Sequence, residues 1–229
     1  MKDVSKSFYS THALTRVNFD LEKGEVLALA GENGAGKSTM MNILLGSFAP
    51  DEGTMLLNGK TYEPKNPSDA LQKGISMIHQ ELCLVPSMTV ADNVWIGRCN
   101  QFSRCGIYMP QLCEERTQKL FDDYGIDLNP KESVKNLSTA QMQMVEIARA
   151  ISYGSQIVIM DEPTSALSDK EVKVLYKIIR RLTQEGVSVL FISHKLEEVF
   201  DLADRVTIFR DGHMVGLHQV KEMTMDDLI

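Results

Sequence analysis

Short apolar runs alternate with amphipathic stretches along most of the chain. Continuous apolar runs are typical of strands that are buried on both faces of a parallel sheet. Such runs occur at Val26–Ala30 (VLALA), Gly74–Gln80 (GISMIHQ), Gln156–Glu162 (QIVIMDE) and Val187–Ile192 (VSVLFI). Helical patterns occur at Met40–Leu45, Met142–Ile151 and Ser168–Glu185. The alternation predicts an α/β fold with a mainly parallel sheet.

The two ends of the chain and its middle differ from this core pattern. Met1–Tyr9 and Leu14–Leu21 look like two short strands, and Thr54–Asn58, closed by Asn58-Gly59, continues this β-rich part. They predict an antiparallel β-subdomain at the N-terminus. Asp204–Arg210 and His213–His218 predict a closing hairpin through Asp211-Gly212. Between them, helix-like segments broken by prolines predict an inserted helical subdomain at 81–153, within a core formed by 1–80 and 154–229.

Composition narrows the classes of protein that the chain can belong to. It has 229 residues, 43% of them hydrophobic, which is ordinary for a folded globular protein. The net charge of -7 provides no broad basic surface for a nucleic-acid backbone, so we expect no nucleic-acid partner. The four cysteines show no paired metal-ligand spacing, which favours reduced thiols. No apolar run approaches the roughly 18 residues that span a bilayer, so we expect any membrane role to depend on a partner.

The stretch Gly31–Thr39 (GENGAGKST) fits the spacing G-x-x-x-x-G-K-[ST] of a phosphate-binding loop. Its glycines permit positive φ angles and let backbone N–H groups approach phosphate oxygens. Lys37 adds a positive charge, and Ser38 offers a hydroxyl to Mg²⁺. A strand precedes the loop and a helix follows it, which is the context that this motif requires. These residues predict a nucleotide site.

Polar residues follow the apolar strands at the ends where ligands collect in parallel sheets. Gln80 ends one run, Asp161 and Glu162 end another, and His194 follows a third. Two carboxylates beside a phosphate loop suit a Mg-nucleotide hydrolase, with one for metal and one for water. In isolation, each of these residues would more often be an ordinary solvated or packing residue.

For several other residues the sequence gives weaker indications of a functional role. Phe8 and Tyr9, ahead of the loop, are candidates for stacking on a nucleobase, with Phe8 preferred, although a strand aromatic is often core packing. Ser138 is an N-cap candidate in Leu137–Gln141 (LSTAQ). Trp95 and Met88 could form an apolar docking surface, but core packing is the commoner use of a single tryptophan.

Taken in order, GENGAGKST, Gln80, LSTAQ, IVIMDEPTSALS and His194 resemble the ATP-binding cassette family over essentially the whole chain. GENGAGKST, MIHQELCLVPSMTVADNVWIGR and LSTAQMQMVEIARA look like the ATPase subunit of bacterial importers of galactosides, ribose and similar sugars. The resemblance implies one nucleotide-binding domain over 1–229 that hydrolyses ATP with Mg²⁺. It also implies a peripheral position on the cytoplasmic face of the plasma membrane. The implied partners are transmembrane permease subunits, through them a periplasmic or extracellular sugar-binding protein, and a second cassette.

The resemblance also implies a role for each matching residue. The nucleotide-contacting residues would be Phe8 and the loop Gly31, Glu32, Asn33, Gly34, Ala35, Gly36, Lys37, Ser38 and Thr39. Ser38, Gln80 and Asp161 would hold Mg²⁺, the last through water. Glu162 would be the general base and His194 would brace the γ-phosphate, with Lys37 and Gln80 also acting in catalysis. Ser138, Thr139, Ala140 and Gln141 would face the nucleotide on the second cassette.

Some positions depart from the family pattern. The usual L-S-G-G-Q is Leu137-Ser138-Thr139-Ala140-Gln141, so both glycines are replaced, and Ser168 stands where an aspartate is common. These departures leave open a weakly catalytic regulatory half. A soluble cassette ATPase acting on DNA or ribosomes is the other alternative, although DNA-repair relatives insert far longer coiled-coil segments. Relatives in the sugar branch usually carry two fused cassettes, so we expect a fragment or one half of such a protein.

Overall fold

The computed structural model describes residues 1–104 and 106–223. Its strands are β1 (Lys2–Phe8), β2 (Thr11–Val17), β3 (Val26–Gly31), β4 (Glu52–Thr54), β5 (Leu56–Leu57), β6 (Lys60–Thr61), β7 (Ile75–Ile78), β8 (Ser103–Arg104), β9 (Ile107–Tyr108), β10 (Ile157–Asp161), β11 (Ser188–Ile192), β12 (Arg205–Arg210) and β13 (His213–Gln219). Its helices are α1 (Lys37–Leu44), α2 (Pro67–Gln72), α3 (Val90–Val94), α4 (Pro110–Tyr124), α5 (Thr139–Ser152), α6 (Asp169–Gln184) and α7 (Leu196–Leu202). Short 3-10 turns occur at Cys99–Phe102, Val134–Asn136 and Val220–Glu222.

The chain forms two compact units. The first comprises Met1–Met77, Ser155–Glu162 and the residues from Leu182 onward, and the second comprises Ile78–Gly154 and Pro163–Arg181. The predicted insertion at 81–153 lies within the second unit, together with 163–181, which the sequence pattern had grouped with the core. The assignment of 1–229 to one nucleotide-binding domain stays a prediction.

A six-stranded sheet with the order β13-β12-β3-β11-β10-β7 organises the first unit. The pairs β10–β11, β11–β3 and β3–β12 are parallel, and β12–β13 is antiparallel. Every residue of β11 is buried, as expected for a central strand covered on both faces. The predicted α/β fold with a mainly parallel sheet is confirmed.

The N-terminal strands form a separate antiparallel sheet with the order β2-β1-β4, as predicted. Val4 pairs with Val17 and Phe8 with Thr11, so Phe8 lies at the hairpin end of β1. The β-rich stretch predicted at Thr54–Asn58 contains parts of two strands, since β4 ends at Thr54 and β5 begins at Leu56. Met55 between them is buried, and its carbonyl accepts a hydrogen bond from the backbone N–H of Tyr62.

The second unit is built from α3, α4, α5 and most of α6, together with the small hairpin β8–β9, which the sequence pattern did not predict. Trp95 at the end of α3 is only 5% exposed, and its Nε1–H donates to Thr117 Oγ1 at 2.9 Å. Its ring meets Phe102 edge-to-face, with centroids 5.1 Å apart. Trp95 is therefore a packing residue, as the commoner interpretation predicted, and the docking role suggested for it is wrong.

None of the helices in residues 1–104 and 106–223 has the length and apolar character that a bilayer crossing requires.

Candidate nucleotide site

The parallel register aligns the carboxyl ends of three central strands. Leu29 of β3 pairs with Ile192 of β11, and Ile192 pairs with Asp161 of β10. Because these residues lie at one level, the segments after them leave the sheet side by side. The glycine loop follows β3, Glu162 follows β10, and His194 follows β11. The sheet thus brings together residues that are far apart in the sequence.

Two glycines of the loop Gly31–Thr39 are required by close contacts as well as by φ. Gly31 has φ 146°, and a Cβ there would lie 2.3 Å from the Phe209 carbonyl oxygen on β12. Gly36, immediately before α1, has φ 108°, and a Cβ there would lie 2.7 Å from the Ala13 carbonyl oxygen. The loop is therefore held tightly against neighbouring backbone at both ends.

The tip of the loop has a different environment. Gly34 has φ 85°, but a Cβ there would meet no protein atom within 4 Å. Glu32, Asn33 and Gly34 are exposed, whereas Ala35 is buried and its carbonyl accepts the Gly212 N–H at 3.0 Å. The tip therefore has space for phosphate groups.

Lys37, the first residue of α1, turns its ammonium group back onto the loop. Its Nζ donates to the carbonyl oxygens of Gly31 at 2.6 Å and of Glu32 at 2.9 Å. Burial lowers the pKa of Lys37 from its usual value, while the carboxylates of Glu162 and Asp161 act in the opposite direction. The positive charge and the acidic pair thus lie close enough to interact.

Glu162 is oriented by two contacts. Its Oε1 lies 2.9 Å from Nδ1 of His194, and its backbone N–H donates to the Ile192 carbonyl at 3.0 Å. The expected position of His194 beside a γ-phosphate stays a prediction, since the contact in the structure is with Glu162. Glu162 also has a φ of 46°, in the left-handed region that favours glycine. Backbone strain of this kind is concentrated at functional sites.

Few side chains near the loop offer oxygen atoms that could bind a metal ion. Ser38 is exposed in the first turn of α1, and Asp161 ends β10 half-buried. In the described part of the chain, no group of three or more His, Cys, Asp or Glu side chains is arranged to hold a metal ion. Mg²⁺ at nucleotide sites keeps several waters and uses one or two side chains together with substrate phosphates. The residues present therefore fit a magnesium ion that arrives with a nucleotide.

The aromatic candidates lie at the tip of the β1–β2 hairpin. The Phe8 ring meets Phe48 edge-to-face with centroids 5.1 Å apart, and Lys6 Nζ lies 5.6 Å from its centroid. Tyr9 is fully exposed with a φ of 53°. Of the two rings, that of Phe8 is therefore the one held in place by a neighbouring side chain. Phe48, an aromatic residue in the turn after α1, is not distinguished as a site residue by the sequence pattern.

Gln80 and the segment Ser138–Gln141 belong to the second unit. Gln80 is exposed, two residues beyond β7, because the strand is shorter than the predicted Gly74–Gln80. Ser138 caps α5, as predicted: its Oγ accepts the Gln141 N–H, and Gln141 Oε1 accepts the Ser138 N–H. Thr139 and Ala140 form the first turn of the helix, where the usual glycines would be less favourable.

The fold and the phosphate loop define a P-loop nucleotide-binding protein of the α/β class. The model of the ABC transporter family matches residues 14–165. The chain belongs to the ABC transporter family.

Several curated proteins are similar over the whole chain. A putative ribose/galactose/methyl galactoside import ATP-binding protein of Burkholderia cenocepacia is 48% identical over 229 residues, 100% of this chain and 44% of that protein. A galactose/methyl galactoside import ATP-binding protein of Clostridium perfringens is 45% identical, with the same shares covered. A putative ribose/galactose/methyl galactoside import ATP-binding protein of Rhizobium meliloti is 50% identical over 226 residues, 99% of this chain and 44% of that protein. The chain spans less than half the length of these relatives.

Solved structures agree with the fold. A nucleotide-free ATP-binding cassette from an ABC transporter superposes with a TM-score of 0.84 at 25% identity, covering 95% of this chain and 89% of that one. A dimeric ATP-binding cassette in a post-hydrolysis state, bound to ADP and Pi, superposes with a TM-score of 0.81 at 23% identity, covering 97% and 98%.

Proposed function

We propose that the chain is the ATP-binding and ATP-hydrolysing cassette of an importer for a monosaccharide of the galactose, methyl galactoside or ribose type. The observation that carries the hydrolytic part is the alignment of strand ends that puts the loop of Lys37 and the acidic pair Asp161 and Glu162 at one edge of the sheet. The sugar class is supported by the names of relatives that are 45–50% identical over the chain.

The glycine loop would bind the triphosphate with its backbone N–H groups. Lys37 would exchange its hydrogen bonds to loop carbonyls for contacts with the β- and γ-phosphates. Ser38, Asp161 and Gln80 are the residues that would hold Mg²⁺, which would neutralise charge on the phosphates. Phe8 would stack on the adenine ring. Its support by Phe48 favours this assignment over Tyr9.

Glu162 would accept the proton of the attacking water, and His194 would orient that carboxylate and then the γ-phosphate. Lys37 and the loop N–H groups would stabilise the charge that develops during in-line attack. No covalent intermediate is required.

A second cassette would complete the site through Ser138–Gln141. The capping box favours this role, because it holds the start of α5 in helical form with the N–H groups of Thr139 and Ala140 at the positively polarised end. Permease subunits, with a sugar-binding protein beyond them, would anchor the complex at the cytoplasmic face of the inner membrane. The net charge of -7 disfavours the alternative that acts on nucleic acid.

ATP hydrolysis by the purified chain, measured as a function of its concentration, tests the proposal. We expect slow turnover whose specific activity rises with protein concentration, and no turnover in Lys37→Ala. Activity per molecule that is unaffected by dilution would contradict a site shared by two cassettes. Co-purification from membranes with a permease would support import, and isolation with nucleic acid or ribosomes alone would refute it.

A further inference from the structure

The backbone that follows Gln80 is bound by side chains of α5. The N–H of Cys83 donates to Glu146 Oε1 at 2.9 Å, and the carbonyl of Cys83 accepts from Arg149 Nη1 at 3.1 Å. The backbone N–H and carbonyl of Cys83, an exposed residue, are therefore both hydrogen-bonded to side chains of α5. In a surface segment, water could satisfy the same groups at no cost in side-chain freedom.

The two side chains also bind each other. Arg149 Nη2 forms an ion pair with Glu146 Oε2, and the Glu146 residue is only 4% exposed. A carboxylate this deeply buried requires both a counter-charge and hydrogen-bond donors. Arg149 provides the first and the Cys83 amide contributes to the second, so the pair and the loop segment stabilise one another.

A third side chain, that of Asn93, also binds the backbone of this segment. Asn93 is fully buried, its Oδ1 accepts the Val85 N–H at 2.7 Å, and its Nδ2 donates to the Val85 carbonyl at 3.1 Å. Further along, the N–H of Lys135 donates to the Pro86 carbonyl at 3.1 Å. The backbone of the segment Cys83–Pro86 is therefore hydrogen-bonded to other parts of the second unit at Cys83, Val85 and Pro86.

We propose that Glu146 and Arg149 are positioning residues for Gln80, linking it to the start of α5. A helix is a stiff connector, and Glu146 lies five positions after Gln141, about 7.5 Å along the axis at 1.5 Å per residue. Cys83 is three residues after Gln80, a connection of at most about 11 Å. A displacement of Ser138–Gln141 by a second cassette thus reaches Gln80 through two paired backbone groups. This inference rests on the proposed function of both segments.

Hydrogen exchange of the full chain tests the link directly. Glu146→Met removes the acceptor and leaves Arg149, whose side chain is 17% exposed, bound to the Cys83 carbonyl. Glu146→Gln keeps an oxygen for the Cys83 N–H. We expect the Cys83 amide to exchange at least about tenfold faster in Glu146→Met, the effect of losing one hydrogen bond to a charged group, and close to wild type in Glu146→Gln. Glu114→Gln, which removes an ion pair with Lys131 in the same unit, is the matched control and should change nothing at Cys83.

Steady-state ATP hydrolysis distinguishes an effect on the position of Gln80 from an effect on the stability of the fold alone. We expect kcat to fall about tenfold or more in Glu146→Met, with KM for ATP within about twofold of wild type. KM should change little because Gln80 is assigned to the Mg²⁺ site and not to binding of the adenine base. Glu146→Gln should recover most of kcat. If Glu146→Met does not fold, the double variant Glu146→Met with Arg149→Met makes the same test, since it removes the partners of both Cys83 backbone groups without leaving an unpaired charge.

Unchanged exchange at Cys83, or faster exchange with unchanged kcat, would overturn the inference. Wild-type protein that hydrolyses no ATP at any concentration would instead refute the proposed function, and the exchange rates would still decide whether α5 holds the segment.

Discussion

Glu162 has two features that substitution can separate. Its carboxylate lies 2.9 Å from His194 Nδ1 at the strand ends, and its backbone has a φ of 46°. Under the proposed function the first matters for hydrolysis, whereas the second affects the stability of the fold. Three variants, Glu162→Gln, Glu162→Ala and Glu162→Gly, distinguish them.

Glu162→Gln retains the shape of the side chain and a hydrogen-bonding partner for His194, but it removes the proposed proton acceptor. Positioned general bases contribute about 10²–10⁴-fold to rate, so we expect kcat to fall by that factor, about 3–5 kcal/mol in activation free energy. ATP binding should persist, because Lys37 and the loop are unchanged.

Glu162→Gly removes the side chain and also relieves the backbone. A left-handed conformation costs a non-glycine residue roughly 1–2 kcal/mol, and the extra backbone freedom of glycine offsets roughly 0.5–1 kcal/mol of that. We therefore expect Glu162→Gly to be more stable than Glu162→Ala by about 1 kcal/mol. For a chain of this size that is a difference of about 2–4 °C in Tm.

Thermal unfolding without nucleotide measures the stability difference, and ATP turnover with active-site titration measures the catalytic one. Glu162→Ala is the matched control, because it lacks the carboxylate and keeps a Cβ. Equal melting temperatures for the alanine and glycine variants would refute the strain argument. Turnover by Glu162→Gln within about tenfold of wild type would refute the assignment of Glu162 as the base and would favour a weakly catalytic regulatory half.

Three further predictions follow from contacts in the first unit. Phe8→Ala should weaken ATP binding by about tenfold, since stacking on a base contributes about 1–3 kcal/mol, and should leave tripolyphosphate binding unchanged in calorimetry; equal loss for both ligands would contradict base stacking. Arg205→Met should lower the free energy of unfolding in urea by about 3–5 kcal/mol, because Glu25, bound at 2.7 and 2.9 Å, stays buried without its partner; a loss below about 1 kcal/mol would contradict this. The hydrogen bond from Lys6 and a second from a backbone N–H lower the pKa of Asp51, so its stabilising effect is present above the ordinary carboxyl pKa and is lost as pH falls through the lowered one. Asp51→Asn should therefore flatten the acid side of a plot of Tm against pH, and an unchanged plot would exclude this contribution.

The local sequence pattern was sufficient to predict those strands and turns whose conformation depends mainly on their own residues. The apolar runs at Val26–Ala30 and Val187–Ile192 predicted β3 and β11, because a strand covered on both faces must be apolar at every position. Asp211-Gly212 predicted the turn of the last hairpin. The pattern at Thr54–Asn58 indicated a β-rich stretch but not its division into two strands, because that division depends on Met55 entering a core built from distant residues.

The sequence by itself determined the phosphate loop, the α/β class and the identity of the strand-end residues, since glycine spacing and apolar runs are local properties of the chain. Only the tertiary structure decided that His194 contacts Glu162, that Phe48 supports Phe8, and that Glu146 and Arg149 bind Cys83. These contacts join residues separated by tens of positions, and no local periodicity encodes them. They follow from strand register and helix packing, which are fixed when the whole chain buries its apolar surface together.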